Sequence, residues 1–135
     1  MTKILIIGGT AEAKNLHFRL QEKKLFTILS YAGLTESIDK EVKNIRVGGF
    51  GGATGMSAFV KDEGITHILD ASHPFSKNIT VNSLLAAQLA KIEYLGFERP
   101  KWQRQNGDKW KLVSDMNKAI KLIDETDRVF VTIGS

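Results

Sequence analysis

The stretch Lys3-Ile-Leu-Ile-Ile-Gly-Gly-Thr-Ala-Glu-Ala13 decides the fold. Its apolar run has no polar face, which is typical of a strand buried on both sides in a parallel sheet. Gly8 and Gly9 end the strand and would let a phosphate approach backbone N–H groups, while Thr10 and Ala11 open a helix whose positive end points to the same place. The stretch therefore predicts a strand, a phosphate-binding turn and a helix. Because adjacent glycines are not the complete G-x-G-x-x-G fingerprint, a plain strand-to-helix turn without a ligand remains the alternative.

The composition is that of one soluble globular domain. The chain has 135 residues, of which 42% are hydrophobic and 25% charged, enough for one core and too few for two domains of ordinary size. It has no cysteine, so we expect no disulfide, no thiolate metal site and a cytoplasmic location. The net charge of +4 is spread along the chain and no apolar run approaches a membrane span. We therefore expect no nucleic-acid or membrane partner, and a small polyanionic ligand suits the charge better.

Apolar periodicity predicts that strands and helices alternate along the chain. The strands after the first are predicted at 26–31, 45–47, 65–71, 93–97 and 128–133, and the helices at 11–24, 56–64, 75–92 and from 114. Helix 75–92 is apolar around most of its circumference, which predicts deep packing, and Pro74 is expected at its first position. Since parallel crossovers are right-handed, we predict an α/β fold, a Rossmann-like doubly wound parallel sheet with helices on both faces and the strand order 3-2-1-4-5.

Unusual residues follow three of the predicted strands at one edge of this sheet. The second strand ends in Ser30-Tyr31-Ala32-Gly33, with no carboxylate where many NAD-binding folds contact the adenosine ribose. After the third strand, the segment 48–55 holds five glycines in eight positions, which suggests a positive φ or a close approach, with a flexible loop as the alternative. The fourth strand ends in Ser72-His73-Pro74, which we expect beside the Gly8–Gly9 turn.

Two side chains at this edge are candidates for ligand contacts. His73 follows the fourth strand and could contact a substrate or cofactor, although a lone histidine is often only a satisfied hydrogen-bonding residue. Arg99, after the fifth strand, could clamp a carboxylate or phosphate, or could form a local ion pair. His17 falls on the apolar stripe of the first helix and is interpreted as a packing or boundary residue.

Four blocks of the sequence together resemble precorrin-6A reductase, including the cobalt-precorrin-6A form of the anaerobic cobalamin route. They are Ile4-Leu-Ile-Ile-Gly-Gly-Thr-Ala-Glu-Ala13, Val47-Gly-Gly-Phe-Gly-Gly-Ala53, Asp70-Ala-Ser-His-Pro-Phe75 and Phe97-Glu-Arg-Pro100. The blocks occur in the order and spacing of that family. The resemblance spans the whole chain and implies that residues 1–135 are an N-terminal dinucleotide-binding domain, with the second domain of the family absent from this chain.

The resemblance implies hydride transfer from NADPH or NADH to a double bond of a polycarboxylate tetrapyrrole, converting precorrin-6A or cobalt-precorrin-6A to the 6B form. The residues that it assigns to the cofactor are Gly8, Gly9, Thr10, Ala11, Ser30, Tyr31, Ala32, Gly33, Gly48, Gly49 and Ser72. Those that it assigns to the substrate are Phe50, Gly51, Gly52, His73, Pro74, Phe75 and Arg99, with His73 as the candidate catalytic residue.

One position departs from the pattern expected of the family. Where Ala-Gly-Arg is expected after the second strand, this chain has Ala32-Gly33-Leu34. The change removes a partner of a 2′-phosphate, which favours the use of NADH. A non-catalytic nucleotide-binding or regulatory module remains the competing interpretation, whereas a short-chain reductase or epimerase relative would need a Tyr-x-x-x-Lys pair that the sequence lacks.

Overall fold

The computed structural model describes residues 1–33, 42–98, 100 and 103–131. The chain divides into two compact units, Met1–Arg99 and Pro100–Ser135. All the strands found among the described residues lie in the first unit. Among the described residues, no helix has both the length and the apolar character needed to span a membrane.

The first unit is a five-stranded sheet in which every pair of neighbouring strands is parallel. The strands are β1 (Lys3–Ile7), β2 (Phe26–Tyr31), β3 (Ile45–Val47), β4 (His67–Asp70) and β5 (Glu93–Gly96), and the helices are α1 (Ala11–Glu22), α2 (Gly52–Asp62) and α3 (Lys77–Ala90). The order β3-β2-β1-β4-β5 confirms both the predicted α/β fold class and the predicted strand order.

Helices cover both faces of the sheet, and the side chains of β1 therefore alternate between two buried clusters. Leu5 and Ile7 belong to a cluster with Met56 and Val60 of α2 and with Ala86 and Ala87 of α3. Ile4 and Ile6 belong to the other cluster, which includes Ala13 of α1. A strand with apolar side chains on both faces can be satisfied only between two layers of helices. The first strand therefore lies at the centre of the sheet, between two layers of helices.

His17 of α1 is a packing residue, the first of the two roles predicted for it, and not a boundary residue. Its side chain is fully buried, with Nδ1 2.9 Å from Thr27 Oγ1 of β2 and Nε2 3.0 Å from the carbonyl oxygen of Lys43. Burial lowers the pKa of His17 below its usual value, although the hydrogen bond with Lys43 opposes this effect. The imidazole thus joins α1, β2 and the segment that leads into β3.

The prediction that helix 75–92 is deeply packed is wrong. The large side chains Val81, Leu85 and Leu89 of α3 are exposed by 54%, 43% and 55%, whereas the residues buried on the helix are small ones: Ser83, Ala86 and Ala87. A helix on one face of a sheet buries only one stripe, and here small residues form that stripe. The helix also begins at Lys77, later than predicted, because the backbone N–H of Ser76 closes a turn on the carbonyl of His73 at 2.8 Å. Pro74 lies in this turn and not at the first helical position.

The described part of the second unit contains one short helix, α4 (Met116–Ile120). Its N-cap is Asp115 and not the predicted Ser114, since the Asp115 carboxylate accepts a hydrogen bond from the Lys118 N–H at 2.9 Å. The described part of the predicted strand 128–133, residues 128–131, is not a strand. Val129, Phe130 and Val131 are exposed. An apolar run becomes a strand only when it pairs with a ladder partner, and no such partner occurs among the described residues.

Candidate functional site

A cleft of about 230 Å³ opens at the carboxyl ends of β1, β2 and β4. It lies where the strand order reverses, which is the usual ligand position in doubly wound sheets. The residues that line it come from four turns and the start of α3: Ile7, Gly8, Gly9, Ser30, Tyr31, Ala32, Gly33, Gly48, Gly49, Phe50, Ser72, His73, Ser76 and Ile79.

The turn after β1 requires glycine at its first position. The Gly8 N–H donates to the carbonyl oxygen of Ser30 at 2.8 Å, and a Cβ on Gly8 would lie 2.9 Å from that same oxygen. Gly9 has a φ of +106°, and a Cβ placed on it would meet no atom within 4 Å. The turn therefore packs tightly against β2 at Gly8 and faces open space at Gly9, where a ligand could approach the backbone.

Thr10 joins the turns that follow β1 and β4. Its hydroxyl oxygen accepts from the Ala13 N–H at 3.1 Å as the N-cap of α1, and its O–H donates to the carbonyl oxygen of Ala71 at 2.6 Å. The two turns that the strand order predicts to be neighbours are thus linked directly. Thr10 lines a smaller pocket beside the cleft, together with Glu12, Ala71, Ser72, Pro74 and Phe97.

The turn after β4 is held by a buried carboxylate that the sequence analysis missed. Asp70 is only 5% exposed, and its Oδ1 accepts from the Ser72 N–H at 3.0 Å while its Oδ2 accepts from Tyr94 Oη at 3.1 Å. Burial, together with the charge and the hydrogen bond of Asp70, raises the pKa of Tyr94 to about 12. Asp70 stands at a strand end, two residues before Ser72. This position could have identified it from the sequence as a residue that holds the turn.

His73 lies at the exposed rim of the cleft. Its Nδ1 accepts from the Phe75 N–H at 3.3 Å, and the two rings lie 5.2 Å apart. An imidazole nitrogen that accepts a hydrogen bond carries no proton, so the neutral His73 ring has its proton on Nε2. That nitrogen can then donate to a ligand in the cleft.

The glycine-rich segment after β3 forms the wall of the cleft beside β2. Gly48, with a φ of +115°, donates its N–H to the carbonyl oxygen of Tyr31 at 2.9 Å and so extends the β2–β3 ladder. A Cβ on Gly55 would overlap the backbone carbonyl of Phe50. These glycines therefore meet specific requirements of the backbone. Arg46 of β3, which the sequence patterns did not single out, donates to this segment.

Eleven of the residues predicted for the site line the cleft: Gly8, Gly9, Ser30, Tyr31, Ala32, Gly33, Gly48, Gly49, Phe50, Ser72 and His73. Thr10 and Pro74 line the smaller pocket. Ala11, Gly51, Gly52 and Phe75 line neither: Ala11 begins α1, Gly51 is the N-cap of α2 and Gly52 its first residue, and Phe75 is 78% exposed beside His73. Arg99 lies outside the described residues.

Within the described part of the chain, no group of three or more His, Cys, Asp or Glu side chains could hold a metal ion. The cleft is instead lined by glycine backbone, hydroxyl groups and aromatic rings. Such a surface suits an organic ligand with phosphate groups, since backbone N–H groups at a helix N-terminus stabilise anions.

Comparison with known proteins identifies the family. The sequence model of one family, described as precorrin-6x reductase CbiJ/CobK, matches residues 3–135. The chain belongs to this family. A precorrin-6A reductase of Sinorhizobium sp is 40% identical over 98% of this chain and 51% of its own length. The precorrin-6A reductase of Rhodobacter capsulatus is 36% identical over 99% of this chain and 54% of its own length.

A solved structure agrees with this membership. The structure described as CobK precorrin-6A reductase is 34% identical, with a TM-score of 0.85 over 93% of this chain and 50% of that protein. As a member of the precorrin-6x reductase family, the chain spans about half the length of the curated relatives that it matches.

Proposed function

We propose that this chain is the dinucleotide-binding half of a reductase that transfers a hydride from NADPH or NADH to precorrin-6A or cobalt-precorrin-6A. The observation that carries the proposal is the glycine-lined cleft at the reversal of strand order, in a chain that belongs to the precorrin-6x reductase family. The bound nicotinamide would supply the hydride, and the protein would supply binding and orientation.

The residues of the cleft fit a dinucleotide. In this proposal the pyrophosphate lies over Gly8 and Gly9, because the open side of Gly9 and the N-terminus of α1 meet there. The adenosine half lies beside Ser30, Tyr31, Ala32, Gly33, Gly48 and Gly49, and the nicotinamide lies towards Ser72. The volume of about 230 Å³ is below the roughly 300–1,000 Å³ of pockets for drug-sized ligands. The cofactor would therefore extend beyond the cleft.

Thr10 and Ala11 have indirect roles in this proposal. The Thr10 hydroxyl already accepts from Ala13 and donates to Ala71, so Thr10 would hold the turn in place while its backbone faces the pyrophosphate. Ala11 begins α1 and would contribute an N–H to the positive end of the helix.

His73 is proposed as the catalytic residue that assists reduction of the double bond by donating a hydrogen bond. Hydride addition to one carbon leaves negative charge that must be neutralised by a proton at the adjacent atom. The Nε2 N–H of His73, on a ring at the cleft rim that is held by the hydrogen bond from Phe75 to Nδ1, would stabilise this charge while water supplies the proton. Phe50, Gly51, Gly52, Pro74, Phe75 and Arg99 are proposed to contact the polycarboxylate tetrapyrrole.

The other half of the family's length is proposed to form a second domain that completes the substrate site. A macrocycle with many carboxylates is too large for one sheet edge to cover. This expectation is supported by relatives about twice as long as this chain. The cytoplasm is the proposed location, because this is where NADPH and NADH are available.

Calorimetric titration of the 135-residue chain with NADPH and NADH tests the proposal. Gly9→Val should weaken binding by well over tenfold, since it strains a backbone with a φ of +106° and places a side chain on the open side of the turn. Gly64→Val is the matched control: Gly64 also has a positive φ, +63°, but follows α2 at the opposite edge of the sheet. Equal affinity of wild type and a folded Gly9→Val variant would contradict the proposal.

A further inference from the structure

Arg46 holds the glycine-rich wall of the cleft through its guanidinium group. The side chain starts from the middle of β3, where Arg46 pairs with Ser30 of β2. Nη2 donates to the carbonyl oxygen of Gly49 at 2.8 Å, and Nη1 donates to the carbonyl oxygen of Gly48. Nη1 also lies 3.5 Å from Ser30 Oγ. One planar group thus fixes two consecutive carbonyls of a segment with little side-chain packing of its own.

Aromatic rings cover the same guanidinium. Its central carbon lies 3.7 Å from the centre of the Phe50 ring and 5.0 Å from the centre of the Phe59 ring, and the two rings meet edge to face at 5.4 Å. A cation over an aromatic ring is attracted by the electrons of the ring, and more strongly when water is displaced. Burial lowers the pKa of Arg46 but an arginine side chain stays charged. Arg46 therefore links the glycine segment to α2, which carries Phe59.

The contacts of Arg46 affect the cleft because its partners line the cleft. Gly48, Gly49, Phe50 and Ser30 are all lining residues, on the side proposed for the adenosine half of the cofactor. The Gly48 and Gly49 carbonyls accept from the guanidinium and so keep a fixed orientation in the wall of the cleft. Loss of Arg46 would free the carbonyl groups of Gly48 and Gly49 and the ring of Phe50 at the same time.

We propose that Arg46 is a positioning residue that shapes the adenosine side of the cleft by fixing Gly48, Gly49 and Phe50, and that it acts equally on cofactors with and without a 2′-phosphate. The inference rests on the proposed function, because it takes the ligand to be a nicotinamide dinucleotide. It differs from a role as a 2′-phosphate ligand, since the guanidinium is directed to main-chain carbonyls.

The test uses two probes, ADP-ribose and 2′-phospho-ADP-ribose, titrated into wild type, Arg46→Met and Arg46→Lys. Arg46→Met should raise both dissociation constants by at least about tenfold and by the same factor, with unchanged stoichiometry. Arg46→Lys should recover part of the loss, because an ammonium keeps the charge but cannot bind two carbonyls and stack in one plane. Arg19→Met, at an exposed position of α1, is the matched control and should bind as wild type does.

Each other outcome overturns the inference in its own way. A loss confined to 2′-phospho-ADP-ribose would make Arg46 a direct phosphate ligand. A fall in the stoichiometry of Arg46→Met without a change in its dissociation constants would mean that Arg46 is needed only for folding. If Arg46→Met does not fold, the dissociation constants of Arg46→Lys decide the test. Unchanged binding by a folded Arg46→Met variant would overturn this inference and leave the proposed function intact. Absence of binding by the wild type would overturn both.

Discussion

Tyr94 of β5 donates a hydrogen bond to Asp70 at the end of β4, with 3.1 Å between Oη and Oδ2. The other carboxylate oxygen of Asp70 accepts from the Ser72 N–H at the cleft. The phenol and the cleft turn therefore share one buried carboxylate, which connects the edge strand of the sheet with the candidate site.

The first prediction concerns the ionisation of Tyr94. Its pKa is about 12, raised from 10.0 by burial and by Asp70, so Asp70→Asn should lower it while leaving the effect of burial. Tyrosinate absorbance during alkaline titration measures the pKa of Tyr94. The Tyr94→Phe variant shows which part of the absorbance comes from Tyr31. The stability that Tyr94 contributes should be present below pH 10 and lost as the pH rises towards 12. Titration of Tyr94 that is unchanged in Asp70→Asn would contradict the assignment.

The second prediction concerns the stability of the fold in mild acid. Burial lowers the pKa of His17 below 6.5, so the unfolded chain takes up a proton that the folded chain resists. The contribution of His17 should be complete above pH 6.5 and should be lost as the pH falls below that value. The free energy of unfolding from urea titration should therefore depend less on pH in His17→Gln than in wild type. An identical pH dependence in the two proteins would show that another group is responsible.

The third prediction concerns Gly55. Its Cβ position overlaps the carbonyl of Phe50, so Gly55→Ala must displace either the start of α2 or the wall of the cleft. We expect a loss of about 1–3 kcal/mol in the free energy of unfolding and weaker cofactor binding. Gly49→Ala is the control for stability, since a Cβ on Gly49 would meet no atom within 4 Å. Equal stability of the two variants would mean that the overlap is relieved at no cost.

The fourth prediction concerns the choice between NADPH and NADH. Ser30 and Tyr31 offer no carboxylate to exclude a 2′-phosphate, and Leu34, which lies outside the described residues, offers no guanidinium to attract it. Discrimination should therefore be small. Leu34→Arg should lower the dissociation constant for NADPH by roughly ten- to hundredfold and leave that for NADH almost unchanged. A charged hydrogen-bonded pair contributes about 1.5–3 kcal/mol, which corresponds to this factor. A strong preference of the wild type for NADPH, unaffected by Leu34→Arg, would mean that another cation already holds the phosphate.

The fifth prediction is that residues 1–135 alone do not reduce the macrocycle. The cleft of about 230 Å³ leaves most of a tetrapyrrole in water and poorly oriented for hydride transfer. Oxidation of NADPH with precorrin-6A should therefore be much slower than with a relative of full family length. Equal rates per cofactor-binding site would show that the second half is dispensable for the reaction.

The sequence by itself determined the sheet and the place of the cleft. Apolar runs and glycine turns are local patterns, and right-handed crossovers leave few ways to connect five parallel strands. For this reason Ile4–Ile7, Gly8 and Gly9 were sufficient to predict a strand and turn at the centre of the sheet. The prediction of a strand at 128–133 failed over its described part because an apolar run does not specify its own ladder partner.

Only the tertiary structure decided which side chains hold the cleft in shape. Arg46 reaches the carbonyls of Gly48 and Gly49, and Asp70 is bound by Tyr94, 24 residues further along the chain. The small buried residues Ala86 and Ala87 of α3 likewise pack in one cluster with Met56 and Val60 of α2. These contacts depend on distances between elements that are separate in sequence, and a local pattern of apolar and polar residues carries no information about such distances.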